Sequence, residues 1–412
     1  MNNKYFIIQL HAAMTLVGYW CFHAVFSLAL GESSRVLSIV YDGIQLLMSL
    51  YVIRICKRDI LVKGRYSILY FFSLTLVLYA IRMVYDMFCG PFVGKVTTDM
   101  FLSDIMLIVF SLFTGSYAIV ASRRYINVDA VTRIVFYIGI LGIISILLNI
   151  IMGASYLSKN SRMDVSQGLG TLQLAKLGAI VIMASIHLII NSGKQTVQKL
   201  VYSIGLIMGV WLMLTSGSRG SVVGVVIALG AYLLFSFRRN KFVLILAITI
   251  VILIMVMLVP ILTWLSDYFP VFSSRMLSTI IDEDQGEREE IFEKAIQFIM
   301  DNPIFGYSYR VEGSVTGWGP HNGILEIFLA LGIPYGILFV YFQYIRGTSL
   351  ALKSMIDRKK LFPTVMMVFA LITSMSGSTM VNNAFLFAVP FLCATCYYNG
   401  CGVSQDLSHK IK

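Results

Sequence analysis

The sequence predicts an all-α protein of about twelve membrane helices with one large loop. Three observations predict it. Of its residues, 58% are hydrophobic and 13% charged, against about 25% charged in a soluble domain. The apolar residues come in repeated runs of about 20, enough to cross a bilayer. The basic residues gather in alternate gaps between those runs. At 412 residues a soluble chain would divide into about two or three domains; residues 1–412 read instead as a single integral membrane domain in a lipid bilayer. The net charge of +11 forms no dense basic stripe with interleaved aromatics, so nucleic acid is not an expected partner. Six cysteines (Cys21, Cys56, Cys89, Cys393, Cys396 and Cys401) are scattered and imply no disulfide framework. Cys393-x-x-Cys396 has metal-ligand spacing but lies in an apolar run with no second pair or nearby His. No metal and no cofactor are expected.

In chain order, the first run is Tyr5–Leu30. It exceeds the core of about 7–15 residues of a cleaved signal and reads as a retained helix. Val36–Ile55 follows, then a basic loop with Lys57, Arg58, Lys63 and Arg65. The third and fourth runs are Ile68–Phe88 and Met100–Ala121, the latter ending on Arg123-Arg124. The fifth is Val131–Met152. A polar loop, Gly153–Gly168, leads to the sixth, Leu169–Ile190, after which come Lys194 and Lys199. The seventh, Val201–Thr215, stops at Ser216-Gly217-Ser218-Arg219-Gly220. The eighth is Ser221–Phe237, closed by Arg238, Arg239 and Lys241. The ninth is Phe242–Leu262. A long loop over 263–323 precedes the tenth, Ile324–Tyr344. A basic loop with Arg346, Lys353, Arg358, Lys359 and Lys360 leads to the eleventh, Leu361–Ser376, and the twelfth, Ala384–Tyr398. With a cytoplasmic N-terminus, most Lys and Arg fall on the inner side. Both termini are then cytoplasmic. Gly153–Gly168, Ser216–Gly220 and the 263–323 loop then face outward.

The long loop carries one strong helical pattern, Glu287–Met300. At about 100° per residue, Ile291, Phe292, Ala295, Ile296, Phe298 and Ile299 share a stripe opposite Glu289, Glu290, Glu293, Lys294 and Gln297. Asp301-Asn302-Pro303 stops it, because the residue before Pro is disfavoured in a helix. Such a helix is expected on the membrane face of the protein. Arg288 lies along the apolar stripe and in the first turn, where the helix dipole opposes a cation. It either snorkels or pairs with an acid such as Asp284, or it is aimed at an anion held between loop and helices.

Two corners flank this loop. In Ser216–Gly220 the glycines let backbone N–H groups converge on an anion, the next helix begins there with its positive end, and Arg219 can grip phosphate oxygens bidentately. Ser216, Ser218 and Gly220 are the accompanying binding candidates; the plain alternative is a hairpin turn with an interfacial Arg. At the second corner, Gly317–Glu326, a polar loop enters an apolar run. Asn322 either caps the tenth helix or holds substrate. His321 at a helix N-terminus would be held neutral, the form a general base needs. Glu326, about one turn in, is a candidate carboxylate for the base or for binding substrate. His11, His23, His187 and His409 read as packing or solvent-exposed residues. Lys176 and Asp42 are charges inside apolar runs, costly and often functional there, though Lys176 is near enough to the run's outer end to reach the interface.

These elements in this order resemble the O-antigen polymerase/ligase superfamily of bacterial membrane glycosyltransferases: an S-x-S-R-G turn (Ser216–Gly220), an Arg followed by D-N-P-x-x-G (Arg288–Gly306), and H-N-x-x-L-E opening the next helix (His321–Gly332). The matching stretches lie in the C-terminal half. The family's G-x-x-N-P-N-x-x-A element is not carried by Gly170–Ala175. The resemblance implies a GT-C-like membrane fold and an undecaprenyl-diphosphate-linked oligosaccharide as donor. It also implies transfer to an acceptor hydroxyl on the outer face without metal or nucleotide. In that scheme Arg219 and Arg288 would neutralise the diphosphate leaving group, His321 would take or orient the acceptor proton, and Asn322 would hold the His or a sugar. Polymerisation of capsular, exopolysaccharide or O-antigen repeat units is the expected activity, with ligation to a final acceptor as the alternative. Other polysaccharide-assembly proteins are partners consistent with it. A flippase for the same glycans would show a repeat between halves and helices broken near the midplane, and no repeat stands out. A structural or sensory membrane protein is the remaining reading.

Overall fold

The structure is a computed structural model. It describes residues 3–30, 34–56, 67–90, 98–152, 169–193, 195–237, 245, 249, 257–281, 288–309, 322–354, 360–375, 389–390 and 392–393. Every element among them is helical. Helix α1 runs Asn3–Ala13, a π-helical turn Met14–Gly18, then Tyr19–Leu30; α2 is Ser34–Ile55 and α3 Ser67–Phe88. Helix α4 joins Thr98–Met106, a π-turn Leu107–Phe113 and Thr114–Ala121; α5 is Val128–Ile151, α6 Thr171–Asn191, α7 Thr196–Thr215 and α8 Arg219–Phe237. Three shorter helices follow: α9 Leu258–Leu265, α10 Pro270–Ile281 and α11 Arg288–Asp301. Helix α12 is Gly323–Phe339, continuing through Val340–Arg346 and Gly347–Ser354; α13 is Leu361–Met375.

Eight helices among the described residues are long and apolar enough to cross a membrane, and the apolar Arg219–Leu234 and Leu361–Met375 are shorter. This is a polytopic membrane protein. The ninth and twelfth predicted runs lie almost wholly outside the described residues. Side chains such as Leu47, Leu141, Ile207 and Val226 are exposed, as expected of helices that face lipid.

Helix α6 is the centre. It is the most buried span and packs on α1, α5, α7, α8 and α13. Against α7 it approaches backbone to backbone. A Cβ on Gly178 would sit 2.6 Å from the Gly209 oxygen, and one on Gly209 would sit 2.8 Å from the Gly178 oxygen. Small residues allow this approach where lipid supplies no hydrophobic drive between helices. At the far end of α6, His187 Nε2 meets Asp129 Oδ1 of α5 at 2.8 Å while its Nδ1 accepts from the Phe362 N–H of α13 at 3.3 Å. His187 therefore ties three helices together and is more than packing.

Two expectations change. The tenth run is not one straight helix: at Gly332 the backbone turns to φ 80°, ψ 172°, a region only glycine enters readily. The break frees backbone groups, and in lipid no water can satisfy them. The 303–308 segment does so instead. Leu329 O accepts the N–H groups of Tyr307 (2.7 Å) and Ser308 (3.2 Å), and Ile333 N–H donates to Pro303 O at 2.7 Å. The second change concerns the long loop, which holds α10 as well as α11. Helix α11 does not simply lie on the membrane face. Ala295 and Ile299 are buried against Leu329 of α12, and Phe298 stacks on Tyr307 at 4.3 Å, while Ile296 and Met300 stay exposed.

Helix α3 grips the same segment from the other side. Arg82 donates to the carbonyls of Phe305 (3.0 Å), Gly306 and Tyr307. Asp86, one turn on and paired with Arg82 at 2.8 Å, accepts from Ser308 Oγ and Tyr309 N–H, both at 2.8 Å.

Two outcomes follow for stability. Gly332→Ala places a methyl 2.2 Å from Ile304 O at a forbidden φ, and should cost at least ~2 kcal/mol, read as a lower melting temperature in detergent. Asp86→Ala leaves a nearly buried Arg82 without its counter-charge and should cost ~3 kcal/mol. A melting temperature within a degree of wild type for either variant would contradict this account of the 303–309 segment.

Candidate functional site

The first corner is a helix-to-helix turn. Helix α7 ends on Ser216, and Gly217 adopts φ 67°, the left-handed conformation that closes a helix C-terminus. Helix α8 then starts at Arg219. Ser216 is fully buried, and its hydroxyl donates to Met213 O at 2.7 Å. The Ser218 hydroxyl bonds that of Ser221 at 3.2 Å. Both serines therefore serve the turn itself, and Gly220 lies in the first turn of α8.

What the sequence reading missed is Arg275 on α10. Arg219 Nη1 donates to Arg275 O at 2.8 Å, and Arg275 Nη1 donates to Gly217 O at 3.0 Å. The two arginines are thus locked to each other's backbone, side by side at one turn, each half-buried. Like charges brought together cost free energy unless an anion lies between them, and guanidinium forks suit phosphate oxygens. The available signal was Pro270: proline favours the first turn of a helix, and it opens the helix that carries Arg275.

At the second corner Asn322 caps α12. Its Oδ1 accepts from the N–H groups of Ile324 (2.9 Å) and Leu325 (3.2 Å). Glu326 is buried in the first turn, at 1% exposure. His321 lies outside the described residues. The Arg288 backbone opens α11, and its side chain is also outside them.

The break at Gly332 divides α12 into two segments. Glu326 lies within electrostatic range of the Tyr344 hydroxyl, which on a straight helix would be about five turns away. Tyr344 OH bonds Ser374 Oγ of α13 at 2.7 Å. The neighbouring Thr373 packs on Gly224 of α8, where a Cβ would meet its methyl at 3.1 Å. From Gly224 to Arg219 is five residues of helix, about 7.5 Å. Glu326, Tyr344 and Ser374 therefore lie near one another, and Thr373, next to Ser374, packs on α8 five residues from Arg219. No group of three or more metal-ligating side chains occurs among the described residues.

The chain matches no curated protein. Residues 204–340 match the family model described as O-antigen ligase. That segment spans α7 from its middle, both arginines of the turn, α11, and α12 through its break. The match covers about a third of the chain and supports its resemblance to the O-antigen polymerase/ligase superfamily.

Proposed function

We propose that this protein is a repeat-unit polymerase transferring a glycan from undecaprenyl diphosphate to an acceptor sugar hydroxyl at the outer face of the cytoplasmic membrane. The observation that carries the reading is the Arg219–Arg275 pair. Two guanidinium groups pinned beside a helix N-terminus in a membrane protein suit a diphosphate, and they stabilise the charge that develops on it as it leaves. Arg288, at the start of α11, is the third arginine of this scheme, and His321, adjacent to the Asn322 cap, its general base. Glu326, buried in the first turn of α12, is the accompanying carboxylate. With the charge met by arginines, the reaction proceeds without a metal. The capping role of Asn322 holds the start of α12. The outward placement of both corners rests on the distribution of Lys and Arg among the loops. The description of the matching family favours one second reading, ligation of a finished glycan to its final acceptor.

The test is a strain lacking the gene, complemented with wild type, His321→Ala or Arg288→Lys at equal membrane levels, with surface glycans and lipid-linked intermediates resolved on a gel. A ladder with wild type that collapses to single repeat units in both variants supports the polymerase. Long chains retained on the carrier lipid indicate the ligase. Unchanged ladders in both variants would remove His321 and Arg288 from the mechanism. Arg275→Lys, which loses the forked donor to Gly217 O and to phosphate, should lower glycan transfer by about tenfold or more with little change in melting temperature. Full activity in this variant would leave Arg219 as the turn's sole functional cation.

A further inference from the structure

Lys176 is the charged residue that neither corner explains. It sits in α6, the most buried span, at 2% exposure, and carries no hydrogen bond or ion pair among the described residues. A buried cation in the bilayer without a partner is costly, so its retention calls for an anion.

Its position can be read from three helix contacts. Lys176 and His187 are eleven residues apart, three turns on one face of α6. His187 faces the start of α13 through Phe362. Eleven residues along α13 from Phe362 lies Thr373, so Lys176 is level with Thr373 and turned toward α13. Thr373 packs on Gly224, about 7.5 Å below Arg219 along α8. The α6–α7 contact gives the same depth independently. Gly178 packs between Gly209 and Met213, which sets Lys176 about one turn below Ser216. Side chains lean toward the N-terminus of their own helix, and for α6 that is the end beside the Ser216–Arg219 turn. The lysine stem spans the remaining gap.

We propose that the Lys176 ammonium is a further cation of the diphosphate site, meeting the anion from the membrane side beneath Arg219 and Arg275. The inference rests on the donor assigned above and adds a residue outside the matched segment. Lys176, added to Arg219, Arg275 and Arg288, makes four cations around one group, which favours the diphosphate over a monophosphate that carries less charge and fewer oxygens to share among them.

The experiment uses the full chain in nanodiscs and measures binding of undecaprenyl diphosphate and undecaprenyl phosphate to wild type, Lys176→Met, Lys176→Arg, and Lys176→Met combined with Glu326→Gln. Lys176→Met should weaken diphosphate binding by about tenfold or more, change monophosphate binding less, and keep or raise the melting temperature, since it removes a buried charge. Lys176→Arg should retain most of the affinity. If Lys176→Met does not fold, Lys176→Gln carries the same expectation. Diphosphate affinity equal to wild type in the Met or Gln variant overturns the inference alone. Affinity restored by adding Glu326→Gln also overturns it, because Lys176 would then serve to neutralise that carboxylate. Wild type binding the two lipids equally overturns the donor assignment and this inference together.

Discussion

The glycine at 332 sets the geometry on which the rest of the C-terminal half depends. Breaking a helix inside a membrane exposes backbone groups that lipid cannot satisfy. Here the broken ends are completed by the 303–308 segment, which can reach them only because Gly306, at φ 76°, and Gly332 let two backbones touch. A single conformational requirement thus couples the D-N-P-x-x-G stretch to the helix that begins with Asn322. It explains in physical terms why the two sequence elements occur together: one is the hydrogen-bonding complement of the other.

From that joint the polar side chains fall into place. Arg82 and Asp86 hold the loop from α3, outside the matched segment, so α3 clamps the segment that completes the broken helix. Its own polar groups are largely turned on one another. His11 bonds Ser49, Gln45 bonds Thr15, and Tyr41 bonds Met14 O beside the first π-turn. The cavity that Thr15 and Tyr41 border with Ser111 and Gln173, ≈ 20 Å³, has room for about one water. Such interhelical bonds hold a bundle together in lipid, and the Ser38 hydroxyl joins His23 Nε2 at 3.2 Å in the same way.

Much of this could be read in the sequence, because hydrophobic run length and basic gaps are direct consequences of the bilayer. Ten of the predicted runs appear as helices, and Arg219 and Asn322 lie at the corners expected for them. What could not be read has specific causes. Arg275 sits on a helix whose apolar residues form no clean stripe, so periodicity could not reveal it, and its partner Arg219 is 56 residues away. The break in α12 was hidden because Gly332 and Pro334 lie in an otherwise apolar run, where both residues are tolerated in membrane helices. Ser216 and Ser218 resemble ligand-binding serines in sequence, yet the turn itself consumes their hydroxyls.

The balance of charge gives the arrangement its direction. Arg219 and Arg275 are half-buried side by side and Lys176 is buried, whereas the carboxylate of Glu326 is buried at the second corner. Desolvation and mutual repulsion of clustered cations work against the folded state, and an anion among them offsets that cost in a low-dielectric setting where charge pairing is strong. Occupancy by a multiply charged lipid headgroup should therefore stabilise the bundle itself, since a ligand that binds only the folded form shifts folding by mass action.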